Sequence, residues 1–259
     1  MRLRFITTLT VGLAVAGCGA PGAGKATANA TPAPAASPSP ATSPSPPSPT
    51  LGAPLFSDPL DKDNGHEWPV VTNDAYSAAF TGGANNPGYL VSLKQVGNAI
   101  ELHSTLRGIS QAQLRNYAVT VEAHPGVYVG SQDDYGVTCR SLRGKRYGFV
   151  ANKATSGDQL TFIIFKQDGV TPGRMTLATR TVPALDHEGP MTAVCNTTAG
   201  VAELSIYTAN SAGGAPTFIV GATDKDAPLT EGYGGVYLAG TATTKPRIVF
   251  KDFSIRPVL

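Results

Sequence analysis

The chain has 259 residues, 29 of them glycine and 21 proline, with 41% hydrophobic and only 15% charged side chains. No apolar run reaches the ~18 residues that a membrane-crossing helix needs, which excludes a helical channel or pump. The formal net charge of +2 also misleads: Arg2, Arg4 and Lys25 all precede residue 53, and the remainder carries 17 basic against 18 acidic residues, without the basic excess of a nucleic-acid reader.

The amino end reads as an address. Arg2 and Arg4 form a positive region ahead of the apolar stretch Ile6 to Ala16, which is too short to span a bilayer, as in an export signal. It closes on Val15-Ala16-Gly17-Cys18, small residues followed by a thiol, and this run resembles a bacterial lipobox. The resemblance implies cleavage after Gly17 (signal 1–17), a diacylglyceryl thioether on Cys18, acylation of the new amine, and anchoring to the outer face of the cell membrane by two or more acyl chains. The other reading is an ordinary signal cut nearby, with no role for Cys18.

Residues 18–52 follow as a tether. From Gly19 to Gly52 the composition is almost wholly Ala, Pro, Ser, Thr and Gly, with Lys25 its one charge. Such a segment buries too little apolar surface to offset its ordering entropy and is expected to be disordered. Proline biases it towards polyproline II at about 3.1 Å per residue, a reach of up to roughly 100 Å.

Residues 53–259 carry period-two apolar alternation broken every eight to twelve residues by Gly, Pro, Asn and Asp. The spacing predicts strands at 88–94, 99–106, 117–124, 135–140, 147–151, 159–166, 175–180, 191–196, 202–208, 216–222, 235–239 and 247–256. Only Ser110 to Asn116 suggests a helical turn. An all-β fold of two stacked antiparallel sheets follows, because no segment supplies the crossover helix that parallel strands need. In the last strand the parity slips between Phe250 and Phe253, which predicts a bulge near Asp252. With Cys18 set aside, Cys139 and Cys195 stand on inward faces by parity, either as a disulfide or as two buried thiols.

A family likeness rests on Tyr135-Gly-Val-Thr-Cys139-Arg140, Arg146-Tyr-Gly-Phe149, Ala193-Val-Cys195, Gly234-Gly-Val-Tyr-Leu-Ala-Gly240 and Phe250-Lys-Asp-Phe253, with Phe56-Ser-Asp58 and Trp68-Pro69 at the start. Together they resemble the concanavalin A-like, laminin-G-like jelly roll of exported actinobacterial proteins. The resemblance implies the sandwich more firmly than an activity, since such domains include carbohydrate-binding modules, glycoside hydrolases and adhesive domains.

Candidate chemistry is sparse. A glycosidase needs two carboxylates about 5–9.5 Å apart, and the Glu-x-Asp-x-x-Glu run of laminarinase-like jelly rolls is missing; Glu101, Glu122 and Glu203 are isolated on strands. Asp186 and Glu188 share a loop and are the nearest approach to an acid pair, with a solvated turn as the alternative. No catalytic residue, cofactor or metal is therefore assigned. The segment Asp61-Lys-Asp-Asn-Gly65 lacks the spacing of a calcium loop; Asp58 and Asp252 are the remaining calcium candidates, too few by themselves. His66, His103, His124 and His187 show no zinc spacing. Trp68, the one tryptophan, is the ligand-binding candidate, an exposed stacking platform for a sugar unless it packs in the core. Tyr233 and Tyr237 flank a glycine pair that either opens a concave surface or relieves crowding, and Arg140, Arg143, Lys145 and Arg146 form a basic cluster suited to anionic polymers or lipid headgroups, or simply to solvent. The expectation is a lipid-anchored, non-enzymatic module for an envelope glycan or another envelope component; a sugar hydrolase of the same fold and a purely structural adhesion domain are the alternatives.

Overall fold

The computed structural model describes residues 46–81, 87–124, 129–130, 132–153, 158–169, 173–184, 187, 189–209 and 214–259. The signal, Cys18, most of the expected tether, Asp186 and Glu188 lie outside them. Among the described residues are fifteen strands, numbered in chain order, in two antiparallel sheets, and no helix. Nine strands form the larger sheet, in the order β13 (Thr217–Asp224), β12 (Val201–Thr208), β11 (Met191–Thr198), β6 (Tyr117–His124), β15 (Arg247–Pro257), β4 (Gly88–Leu93), β3 (Tyr76–Thr81) and β2 (Val71–Thr72), with β1 (Phe56–Asp58) also on β15. Six form the smaller: β10 (Met175–Pro183), β9 (Gln159–Gln167), β8 (Lys145–Lys153), β7 (Asp134–Leu142), β14 (Tyr233–Ala239) and β5 (Ala99–Leu102).

Alternation builds the interior. Tyr117, Val119 and Val121 of β6, and Ile248, Phe250, Phe253 and Ile255 of β15, meet Tyr147, Phe149 and Ala151 of β8 and Leu160, Phe162 and Ile164 of β9 in one buried cluster. Each such large apolar side chain contributes about 1.5–3 kcal/mol by leaving water. Cys139 of β7 and Cys195 of β11 are joined, with Cα atoms 6.7 Å apart, so the expected pairing is a covalent staple between the sheets. For a separation of 56 residues the chain-entropy relation gives about 4 kcal/mol.

The sandwich begins earlier than residue 53. Leu51 bridges Val258, Gly52 N–H donates to Pro257 O, and Leu259 N–H donates to Thr50 O. Further back, Tyr207 Oη donates to Pro47 O (3.2 Å) and Ser48 Oγ to Pro216 O (2.7 Å). Residues 46–52, expected at the end of the tether, thus form a strap on the outer face of the larger sheet, where Leu51 and Val258 pack on Ala118, Val194 and Tyr207. The strand Tyr76–Thr81 escaped the sequence reading because its Ser-Ala-Ala centre carries little alternation. Residues 110–116 form turns, with Gln113 N–H donating to Ser110 O and Leu114 N–H to Gln111 O.

One end is closed by a polar network. Tyr147 Oη donates to Asp224, which also pairs with Lys166 Nζ at 2.7 Å; that ammonium donates to Asp226 O and Ala227 O, and Leu229 N–H donates to Tyr147 Oη. Arg140 joins it through Leu229 O and Arg115 O. Its backbone is left-handed (φ 51°) at a register shift between Cys139 and Leu142, and this bulge turns the side chain into the interior, where it is fully buried. Arg140 therefore leaves the basic surface cluster.

The bulge in β15 lies where parity slips. Pairing with β6 jumps between Lys251 and Ser254, and Asp252 has φ 50°. Desolvation, and then Glu122, push the Asp252 carboxyl above its ordinary pKa, while Lys251 and His124 oppose them. A carboxyl with a raised folded pKa lowers stability once pH exceeds that value, and has no such effect below its unfolded pKa. Asp252→Asn, which keeps a side chain tolerant of left-handed backbone, is expected to raise the melting temperature near neutral pH, the gain vanishing on acidification; thermal unfolding across pH checks this.

Candidate functional site

The outer face of the smaller sheet carries a groove of about 540 Å³ where β5, β14 and the β7–β8 hairpin meet β9. Strand parity selects its residues: those that alternate with the core set point outward. Tyr237 lies opposite Glu101 and Gly136, Gly235 opposite Thr138, Thr138 opposite Gly148, and Gly148 opposite Phe165. A β-carbon at Gly148 would sit 2.1 Å from Cζ of Phe165, so only glycine there lets that ring lie across the sheet. Phe165 in turn packs on Tyr237 (5.5 Å between centroids), and the guanidinium groups of Arg174 and Arg146 cap the two rings at 5.0 and 5.9 Å. Arg174 is held by Asp134, which also accepts from Asn152 Nδ2 (2.9 Å).

Glu101 organises the groove. Its carboxylate accepts from Thr138 Oγ1, from Ser141 Oγ (2.7 Å) and from Arg146 Nη1 (2.7 Å). The side chains of Arg146 and Glu101 are 16% and 11% exposed, so the pair is largely screened from water and fixes Arg146 over Tyr237. Burial raises the pKa of the Tyr237 phenol above its ordinary value, against the lowering influence of Arg174 and Arg146. At the mouth His103 stacks on Tyr233, 6.3 Å and 10° apart, while Arg143, Gln167 and Leu142 complete the walls. Tyr233 and Tyr237 thus both line the concavity that their flanking glycines suggested. Of the basic cluster, Arg143 and Arg146 line this groove, Lys145 is exposed on the same hairpin, and Arg140 is interior.

Trp68 is not an exposed platform. It is 4% exposed, packs on Phe253 at 5.0 Å and on Tyr89 at 5.4 Å, and its indole Nε1–H donates to Asp58 Oδ2 (3.0 Å). Asp58, itself fully buried, accepts also from Leu60 N–H, Asn64 Nδ2 and His66 Nδ1. These donors surround the carboxylate, so Asp58 is the anchor of the 58–68 loop rather than a calcium ligand. Asp252 lies at the β15 bulge and is exposed, and among the described residues no three acidic, His or Cys side chains converge as metal ligands. His124 stands 2.9 Å from Glu122, out of line for a hydrogen bond, and His187 Nδ1 meets Thr208 Oγ1 at 2.8 Å. A second hollow, on the larger sheet between Tyr207 and Phe218, is lined in part by Pro46 and Pro47 of the strap.

No family model matches the chain, and no curated protein matches it. Solved structures do. A GH43 glycoside hydrolase engineered to display both endo-xylanase and exo-arabinofuranosidase activity superposes with TM-score 0.51 at 12% identity, over 80% of this chain and 41% of its own. A mutant of the GH43 protein BlXynB from Bacillus licheniformis superposes with TM-score 0.50 at 15% identity, over 78% of this chain and 39% of its own. At these identities the likeness concerns the fold, and the chain spans about two fifths of either relative. Fold and neighbours together define a two-sheet antiparallel β-sandwich.

Asp58→Ala would leave Trp68 Nε1–H and Leu60 N–H buried without acceptors. A loss of about 2–5 kcal/mol in unfolding free energy is expected, with a shift in tryptophan emission, measurable by denaturant titration.

Proposed function

We propose that this sandwich is a non-catalytic saccharide-binding module, held outside the cell by a lipidated Cys18 through the proline-rich tether. The groove carries this reading. It combines the His103–Tyr233 stack with Gln167, Arg143 and Ser141, the mixture of ring faces and fixed polar groups by which concave sites hold sugars. Glu101, the one carboxylate among the described lining residues, is engaged by three donors, whereas glycoside hydrolysis requires a pair with room for water or a covalent intermediate. The fold shared with polypeptides described as glycoside hydrolases supports a carbohydrate context.

A glycan array probed with the exported chain is expected to show selective retention, reduced about tenfold or more by Tyr233→Ala while the melting temperature is preserved. Absence of binding to any saccharide would remove the proposal. For the anchor, mass spectrometry is expected to find a diacylglyceryl-modified Cys18 at the mature amino terminus, and Cys18→Ser is expected to move the protein from the detergent phase to the aqueous phase.

A further inference from the structure

Resting on the saccharide reading, we infer that the groove selects an acidic sugar, a uronate, and that Arg143 is the residue that meets its carboxylate. The charge balance of the groove carries this. Glu101 and Arg146 neutralise one another in a partly buried pair, and Thr138 and Ser141 occupy further acceptor positions on the same carboxylate. That leaves Arg143 as the charge without an opposite partner among the described lining residues, of which Glu101 is the only acidic one.

Its placement is built by the backbone. Leu142 pairs with Lys145, and the two residues between them, Arg143 and Gly144, have φ of 53° and 79°, the two-residue hairpin with both central residues left-handed. This turn fixes where the arginine leaves the strands, in the lining it shares with Tyr233 and Gln167, and Arg143 is exposed with no ion pair among the described residues. A planar guanidinium that pairs with no carboxylate among the described residues suits bidentate capture of one on a ligand. A neutral sugar would leave that charge facing only water. Lys145 on the same hairpin is exposed and adds positive potential, which makes the attraction dependent on ionic strength.

The test uses the full chain and two probes with one skeleton: the α-1,4-linked galacturonate trimer and its methyl ester, compared by calorimetry at low and high salt. The acid is expected to bind about tenfold more tightly than the ester at low salt, the gap narrowing as salt rises. Arg143→Asn, which suits the left-handed turn, is expected to abolish the gap by weakening the acid more than the ester, with the melting temperature preserved, and Arg143→Lys to retain part of it. Equal affinity for acid and ester in the native protein, or a preference that survives Arg143→Asn, overturns the inference and leaves the saccharide reading standing. Failure of both probes, with the glycan array also blank, overturns the two together.

Discussion

The polar residues on the strands of both sheets are placed by the need to bury two apolar sheet faces against each other. A strand shows its side chains alternately to the two sides, so once Tyr135, Val137 and Cys139 are committed to the interior, Thr138 is turned to the other face. The same rule sends Tyr147 and Phe149 inward and Arg146 and Gly148 outward on β8. The groove is therefore assembled from residues that the core rejects. Where a polar chain does turn inward, as with Arg140, Lys166, Asp58 and Asp224, partners surround it, because an unmatched buried charge would cost more than the surrounding apolar contacts supply.

Two bulges break the alternation, with different results. In β15 the slip keeps both Phe250 and Phe253 in the core and leaves Asp252 outside. In β7 it diverts Arg140 into the closed end, where the guanidinium ties β7 to the segment after β13 through Leu229 and to the turn before β6 through Arg115. The covalent staple at Cys139 lies directly beside that second bulge, so the same short stretch binds both sheets and one loop.

Much of this was readable from the chain. The dozen alternating segments, the inward cysteines and the slip at Asp252 all follow from period two, which survives whatever the tertiary partners are. The site was less readable. Tyr233 and Tyr237 stood out by their glycines, but Glu101 looks like any lone strand acid until β5 is known to lie beside β14. Trp68 stays open between platform and core in the sequence because a single tryptophan carries no periodicity of its own; in the fold its indole proton goes to Asp58, ten residues earlier. The Arg140 bulge was hidden because Cys139-Arg140-Ser141 has no slip in apolar parity to betray it. Proline-rich composition likewise concealed the docking of residues 46–52, whose partners Tyr207, Pro216 and Pro257 are remote in sequence.

That strap has a mechanical meaning. Residues 50–55 are zipped antiparallel to the end of β15, so the two ends of the domain leave side by side on the larger sheet, away from the concavity on the smaller one. A pull on the amino end against a ligand held in the groove, as proposed above, would run through the thickness of the body. The few hydrogen bonds at Pro47, Ser48 and Thr50 would share that load with the stapled interior and, being fewest, would part first, lengthening the leash while the body stays folded.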